Sequence, residues 1–448
     1  GSGRRGELRI RRHLFDGMRR GFDGKAPATG GCGADRLGAL PDEVLQHVLS
    51  FLPSREAVHT CLLARRWRHQ WKSAPALRVA DVDAFKSAQR FNEFVNHLIV
   101  LRDRTPLHAC EIAAYKEYKG RYYDDEEPSR YTDLWIRYAM SCNVRLLRLS
   151  NHDPSDLDAQ YENIEDVLLH AHIASHHLTT LELEGVMFSC EYPLDLSSCP
   201  NLETIKMNRC SSLIHVNIWS RSVRCLCITE YDFYSYDEEK PRAAVYVPSL
   251  VYLELNGGRG LVPAFESMPL LQTASIKFDW TSTREDNNDG FLLLGRLSDA
   301  TNLELISEPQ ALSFRKDLMR CTAFSKLKTL SLNDWCVEPD FGPLLHFLQR
   351  SPSLEKLCLQ LSKPDEHAKE TDASYVSTEP FLASKHLRVV KIRCHENDER
   401  VPKILNVMSS YGVPPEQINV KEGNWSSEGS YSDSEQSDYS YSDTDQSD

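Results

Sequence analysis

The chain has 448 residues, 41% hydrophobic and 26% charged, which fits a soluble globular protein of two or three domains. A formal net charge of −13 argues against general nucleic-acid binding, which needs concentrated positive charge. No apolar run approaches the roughly 20 residues of a membrane span, and thirteen cysteines without regular pairing point to reduced thiols of an intracellular protein, nuclear or cytoplasmic.

The first segment, residues 1–34, is a basic arm and linker, expected to be disordered. It carries Arg4, Arg5, Arg9, Arg11, Arg12, Arg19 and Arg20, and ends in the flexible stretch Ala26–Gly33. The arm reads as a nuclear address or as a solvated leader. It has no hydrophobic core of a secretory signal. The first methionine is Met18, which makes residues 1–17 a candidate leader outside the mature product.

Residues 35–80 hold two amphipathic helices back to back. Pro41 suits a first helical position, where its missing N–H is no loss. Val44, Leu45, Val48, Leu49 and Leu52 recur at helical spacing, with Asp42, Glu43, Gln46 and His47 opposite. Pro53 ends this helix and Ser54 is a suitable N-cap for the next. The second helix carries Val58, Cys61, Leu62, Trp67 and Trp71 among Arg65, Arg66, Arg68 and Lys72. About 40 residues cannot bury this much apolar surface alone, so a partner is expected.

The order Leu40-Pro41, Leu45, Leu49-Ser50-Phe51-Leu52 and Cys61-Leu62-Leu63-Ala64-Arg65-Arg66-Trp67-Arg68 resembles an F-box, in particular that of plant F-box proteins with leucine-rich repeats. The resemblance implies docking on a Skp-type adaptor and, through it, on a cullin-based ubiquitin ligase. Matched to the family's motif, Leu40, Pro41, Leu45, Leu49 and Leu52 become the adaptor-binding positions. Val58, Cys61, Leu62 and Trp67 become internal packing positions.

Over residues 81–420 one pattern returns: apolar, two residues, apolar, one residue, apolar. It runs through Leu107/Cys110/Ile112, Val144/Leu147/Leu149, Leu178/Leu181/Leu183, Leu202/Ile205/Met207 and Val223/Leu226/Ile228. It continues in Leu250/Leu253/Leu255, Leu271/Ala274/Ile276, Leu327/Leu330/Leu332, Leu354/Leu357/Leu359 and Leu387/Val390/Ile392, with a degenerate copy at Leu303 and Ile306. Residues two apart share a strand face, and each copy covers that face only against its neighbours. The fold class expected is therefore α/β: a helical F-box followed by an irregular leucine-rich-repeat solenoid with a curved parallel sheet. Helices are expected over Ile164–Ser175 and Asp340–Arg350. The asparagine usual three residues past the strand is replaced by Val186, Tyr231, Gly258, Trp335 and Ser362, and Cys210 is the cysteine variant. The resembled family has a variable C-terminal region, FBD-like, here near 380–420.

Long polar segments follow the strands at Arg121–Arg130, Glu230–Arg242, Thr281–Gly290 and Ser362–Pro380, all toward one rim. Tyr122, Tyr123, Tyr231, Tyr234 and Tyr236, set among Asp124, Asp125, Asp237 and Glu238, form a candidate acidic, aromatic surface for a basic protein client. Solvated loops are the plainer alternative. Residues 421–448 form an acidic Ser/Asp/Tyr tail, too polar to offset ordering entropy. Its Ser432 and Ser442 resemble acidophilic kinase sites, and a solubilising tail is the alternative.

Catalytic and metal signatures are weak. His170, His172, His176 and His177 lack a completing ligand set. Cys225 and Cys227 are expected to face opposite sides of a strand. Gly257–Gly260 reads as a turn after a strand and lacks the lysine of a phosphate loop. The expectation is a substrate receptor without catalysis or cofactor, binding an adaptor and a protein client but neither nucleic acid nor membrane. An interaction scaffold that delivers no client is the second reading, and an enzyme built on the histidines the third.

Overall fold

The computed structural model describes residues 39–115, 127–152, 167–169, 173–188, 195–233, 243–278, 293–307, 313–337, 341–363 and 385–423, apart from the single residues 83, 86, 212, 214, 215, 261 and 322. The basic arm, the acidic tail and most of the four polar segments lie outside these residues.

Helix α1 (Asp42–Leu49) begins one residue later than expected, with Pro41 as its cap. The Pro41 carbonyl accepts from Val44 and Leu45 N–H, each at 3.1 Å. Helix α2 (Ser54–His59) is shorter than expected and gives way to three 3-10 turns, Thr60–Leu62, Arg65–Arg68 and Gln70–Ser73. These tighter turns bring Trp67 and Trp71 inward, where both are buried with Leu45, Leu49 and Val58 in one core. Further along are α3 (Ala88–Leu101), α4 (Glu127–Ser141), α5 (Leu293–Arg296), α6 (Ser313–Arg320), α7 (Gly342–Arg350) and α8 (Arg400–Ser410).

The strands of the first half are β1 (Ala76–Val79), β2 (Ala109–Tyr115), β3 (Leu146–His152), β4 (Val167–Leu169), β5 (Thr180–Glu184), β6 (Val186–Phe188), β7 (Thr204–Asn208), β8 (Ile218–Trp219) and β9 (Cys225–Phe233). Those of the second half are β10 (Ala244–Tyr246), β11 (Tyr252–Gly260), β12 (Ala264–Phe265), β13 (Thr273–Phe278), β14 (Asn302–Ser307), β15 (Thr329–Asn333), β16 (Lys356–Gln360), β17 (Val389–Cys394) and β18 (Ile418–Glu422). Thirteen of them form one sheet, β1-β2-β3-β5-β7-β9-β11-β13-β14-β15-β16-β17-β18, in chain order throughout. Every pairing is parallel. A solenoid places successive strands side by side in this way, because each repeat buries its face on the next.

The register aligns the repeat residues into two unbroken inward rows. One runs Leu77, Cys110, Leu147, Leu181, Ile205, Leu226, Leu253, Ala274, Leu303, Leu330, Leu357, Val390 and Ile418. The second starts at Val79, passes Leu255 and Leu305, and ends at Val420. Nearly all these side chains are buried, and burial of each aliphatic one contributes roughly 1.5–3 kcal/mol. The degenerate copy is thereby corrected: Leu305, not Ile306, turns inward with Leu303, since Ile306 pairs with Lys277 on the other face. Two strands of this sheet were not expected. β1 carries the same spacing at Ala74/Leu77/Val79, inside the segment assigned to the F-box. β18 carries it at Pro415/Ile418/Val420, with a proline where the pattern needs an apolar anchor.

The absent asparagines are replaced by other devices. Indole Nε1 of Trp335 donates to the Leu305 carbonyl of the preceding repeat at 3.1 Å, and the Cys210 thiol reaches the Leu183 carbonyl at 3.6 Å. Val186, Cys210, Tyr231 and Trp335 are all buried at this position. Just before this position Gly185, Arg209, Glu230 and Gly257 take left-handed backbone, ahead of Val186, Cys210, Tyr231 and Gly258, so the same turn recurs in four neighbouring strands of the sheet. Gly257–Gly260 thus belongs to β11 rather than to a separate turn. The expected helix over 340–350 is α7, but 164–175 contains β4 and no helix among its described residues.

Phe278, Phe314, Trp335 and Phe347 form a continuous aromatic chain behind the C-terminal strands, with ring centroids 5.0, 5.2 and 6.4 Å apart. His346 is buried beside it on α7. Burial, then Arg350, pushes its imidazole down to about 4. A histidine in the unfolded chain titrates near 6.5, so between about pH 6.5 and 4 the unfolded state binds more protons. Stability should be full above about pH 6.5 and fall by roughly 2–3 kcal/mol as the pH drops to about 4. Urea titrations at pH 7 and pH 5 should show this loss, and His346→Gln should remove most of it.

Candidate functional site

Exposed large apolar side chains are concentrated at the N-terminal end. Of eleven among the described residues, five fall between positions 44 and 63: Val44, Val48, Phe51, Leu62 and Leu63, with Phe51 and Leu62 each 66% exposed and Leu63 74%. Val44, Val48 and Phe51 recur at i, i+4 and i+7, so they share one stripe of α1 and the turn after it. Exposed apolar side chains spaced along one helix face suit an interaction surface.

The structure redistributes the residues named from sequence. Leu45 and Leu49 are 0% and 1% exposed and pack into the chain's own core with Val58, Trp67 and Trp71. Leu40 and Leu52 are partly buried against the same core, and Pro41 is exposed at the mouth of α1. Conversely Leu62, expected inside, is on the surface, while Val58 and Trp67 are inside as expected. The leucine face does not lack cover. The stripe of α1 beside it does.

Polar contacts hold this surface in place. Gln46 bonds Gln70 at 3.1 Å, joining α1 to the last 3-10 turn. Arg66 bridges to Asp42 at 3.0 Å and donates to the Leu40 carbonyl, and that hydrogen bond keeps the exposed Asp42 carboxyl below its usual range. The unit is also fused to the sheet. Ser54 Oγ accepts from the Arg78 N–H at 2.9 Å instead of capping α2, and Arg78 Nε donates to the Ser50 carbonyl at 2.8 Å. Buried Arg102 donates to the carbonyls of Trp71 and Ala74. The helical unit therefore caps edge strand β1, giving the solenoid a closed first end.

The second surface is the open face of the sheet. Its first strands carry an alternating row, Arg78, Glu111, Arg148, Glu182 and Lys206, each charge beside its opposite. Arg78 pairs with Glu111, Arg148 with Glu111 at 3.8 Å and with Glu182, and Lys206 with Glu182 at 3.2 Å. Burial pushes Glu182 up, but hydrogen bonds from Arg148 and Lys206 outweigh it and hold the carboxyl below its usual range. Farther along the same row stand Cys227, Glu254, Ser275 and Glu304. Cys225 and Cys227, two apart on β9, both face this side, which corrects the expected opposite facing: residues i and i+2 share a strand face.

Of the five tyrosines expected at the rim, Tyr231 is buried at 2% exposure and cannot serve as an exposed contact. Its place three residues past Ile228, the usual asparagine position, was the signal for this. Tyr122, Tyr123, Tyr234 and Tyr236 lie outside the described residues, as do His170 and His172. His176 and His177 are exposed and not helical. Among the described residues no group of three or more His, Cys, Asp or Glu could hold a metal ion, and no helix is long and apolar enough to cross a membrane.

Comparison with known proteins agrees with this geometry. The F-box domain family matches residues 37–78, which contain the whole exposed stripe. An F-box/FBD/LRR-repeat protein of Arabidopsis thaliana is 27% identical over 388 residues, 80% of this chain and 86% of its own length. A second F-box/FBD/LRR-repeat protein of that plant is 23% identical, covering 85% and 89%. A putative F-box/LRR-repeat protein is 25% identical, covering 74% and 73%.

Proposed function

We propose that this chain, a plant F-box protein with leucine-rich repeats and an FBD-like C-terminal region, is the substrate receptor of a Skp–cullin–F-box ubiquitin ligase. The observation that carries the reading is the exposed apolar stripe on a unit whose core is packed and which is fused to a thirteen-strand sheet. The stripe, with Pro41 and the partly buried Leu40 and Leu52, would dock the Skp-type adaptor. The sheet holds a client at fixed distance and orientation from it, which raises the client's effective concentration at the ubiquitin donor.

In this role the chain supplies no chemistry and only positions two proteins. Residues 35–80 would act as the adaptor module, 81–420 as the client-binding solenoid, and the segments leaving β2 and β9, with Tyr122, Tyr123, Tyr234 and Tyr236, as part of the client rim. Expressing a variant that cannot bind the adaptor should trap the client and raise its abundance several-fold. An unchanged client level with full loss of adaptor would instead identify a scaffold.

A further inference from the structure

The open face of the sheet carries a pair of thiols that the receptor role does not use. Cys225 and Cys227 point to the same side of β9, half-buried, with their sulfur atoms 3.8 Å apart. β9 is the sixth of thirteen strands, so the pair lies near the middle of the face. Across β7 they neighbour Thr204 and Lys206, and across β11 they neighbour Tyr252 and Glu254. Tyr252 Oη donates to Glu254 Oε2 at 3.1 Å, so this tyrosine and carboxylate hold each other beside the thiols.

These cysteines differ from the rest. Of the eleven described, seven are buried, and burial pushes the thiols of Cys110, Cys199 and Cys394 up. Cys225 goes the other way. The hydrogen bond from Cys227 and the nearby Lys206 ammonium hold it down at about 7, while Cys227 is raised by the same bond.

The separation decides what such a pair can accept. A direct disulfide needs sulfurs about 2.05 Å apart and Cα atoms usually within about 6.8 Å. Residues two apart on a strand lie at about 6.6 Å, the upper edge of that range. A third atom bridging the sulfurs avoids this strain: with bonds of about 2.3 Å, a 3.8 Å sulfur separation corresponds to an angle near ~110°. We propose that Cys225 and Cys227 form a bidentate dithiolate site for a soft, thiophilic centre such as trivalent arsenic.

With a monosubstituted arsenic(III) oxide the step balances without redox change. Two S–H bonds are exchanged for two As–S bonds, and the oxide oxygen leaves as water with both protons. The sulfurs of Cys225 and Cys227 bond to arsenic in turn, and the proton released by each thiol ends on the departing oxygen. The bound group would sit in the middle of the face that the receptor reading offers to a client, but its binding does not depend on that reading.

Phenylarsine oxide at one equivalent should give a single adduct by intact mass on the full-length chain, retained on desalting. A dithiol should strip it and glutathione should not. Cys225→Ser and Cys227→Ser should each abolish retention with unchanged thermal melting, because both side chains are on the open face. Cys225→Ala and Cys227→Ala provide the same reading if a serine variant folds poorly. Retention of the adduct when both positions are changed, or no retained adduct in the unaltered chain, would overturn the proposal.

Discussion

Changing Phe51 and Leu63 together to aspartate should abolish co-purification with a Skp-type adaptor while leaving the melting of the chain within about 0.5 kcal/mol, the usual range for exposed positions. Both side chains are mostly in water, so a charge there costs the fold little. An adaptor surface that closes over them would have to bury two unpaired carboxylates, which binding cannot offset. Leu45→Asp and Leu49→Asp also lose the adaptor, for another reason. They place a charge among Val58, Trp67 and Trp71 and unfold the helical unit, a loss of several kcal/mol visible by circular dichroism. The two variant pairs thus separate a lost contact from a lost fold. Retained adaptor binding by the Phe51/Leu63 variant would remove these exposed side chains from consideration.

The second large effect is expected at the other end of the solenoid. Asp334, 1% exposed, accepts from the Ser362 N–H at 3.0 Å, from its hydroxyl, and from Arg400 Nη1 at 2.7 Å. Arg400 also bonds Asp398 at 2.7 Å and donates to the Ser362 carbonyl, so one guanidinium joins the turn after β15, the segment after β16 and the start of α8. Arg400→Ala leaves a buried carboxylate without its cation and should cost about 3–5 kcal/mol. Arg400→Lys should recover little, because a single ammonium cannot reach all three partners. The network also sets an acid limit. Burial pushes Asp398 up, but Arg400 outweighs it and holds the carboxyl below its usual value. Its contribution is therefore present above about pH 4 and lost as the pH falls through the lower folded value. Urea titration of Arg400→Ala checks this, and a shift below 1 kcal/mol would show the network to be dispensable.

The repeat strands were legible because their signal is local and redundant. Leu250/Leu253/Leu255 and Leu354/Leu357/Leu359 give both the strand and its inward face within six residues, and each now lies in register with its neighbours. β1 was hidden because its residues Ala74, Leu77 and Val79 fell inside a segment already assigned to the helical unit, and β18 because Pro415 broke the pattern. The facing of α1 is legible only in part, for a different reason. Helical spacing shows that Val44, Leu45, Val48 and Leu49 lie on one broad stripe, but not which half the chain covers itself. That depends on where Trp67 and Trp71 turn, and the break of α2 after His59 is a tertiary outcome. Cys225 and Cys227 were readable by strand parity alone. Tyr231 belonged to the buried repeat position rather than to the loop beside it.

The most direct measurement is capture of a ternary complex. The full chain, purified from plant cells with the ubiquitylation step blocked, should carry the Skp-type adaptor and a client protein on the same molecules through two successive affinity steps. The Phe51/Leu63 aspartate variant should retain the client and lose only the adaptor. Adaptor and client found only on separate molecules, or a client lost together with the adaptor, would contradict a receptor with two independent grips.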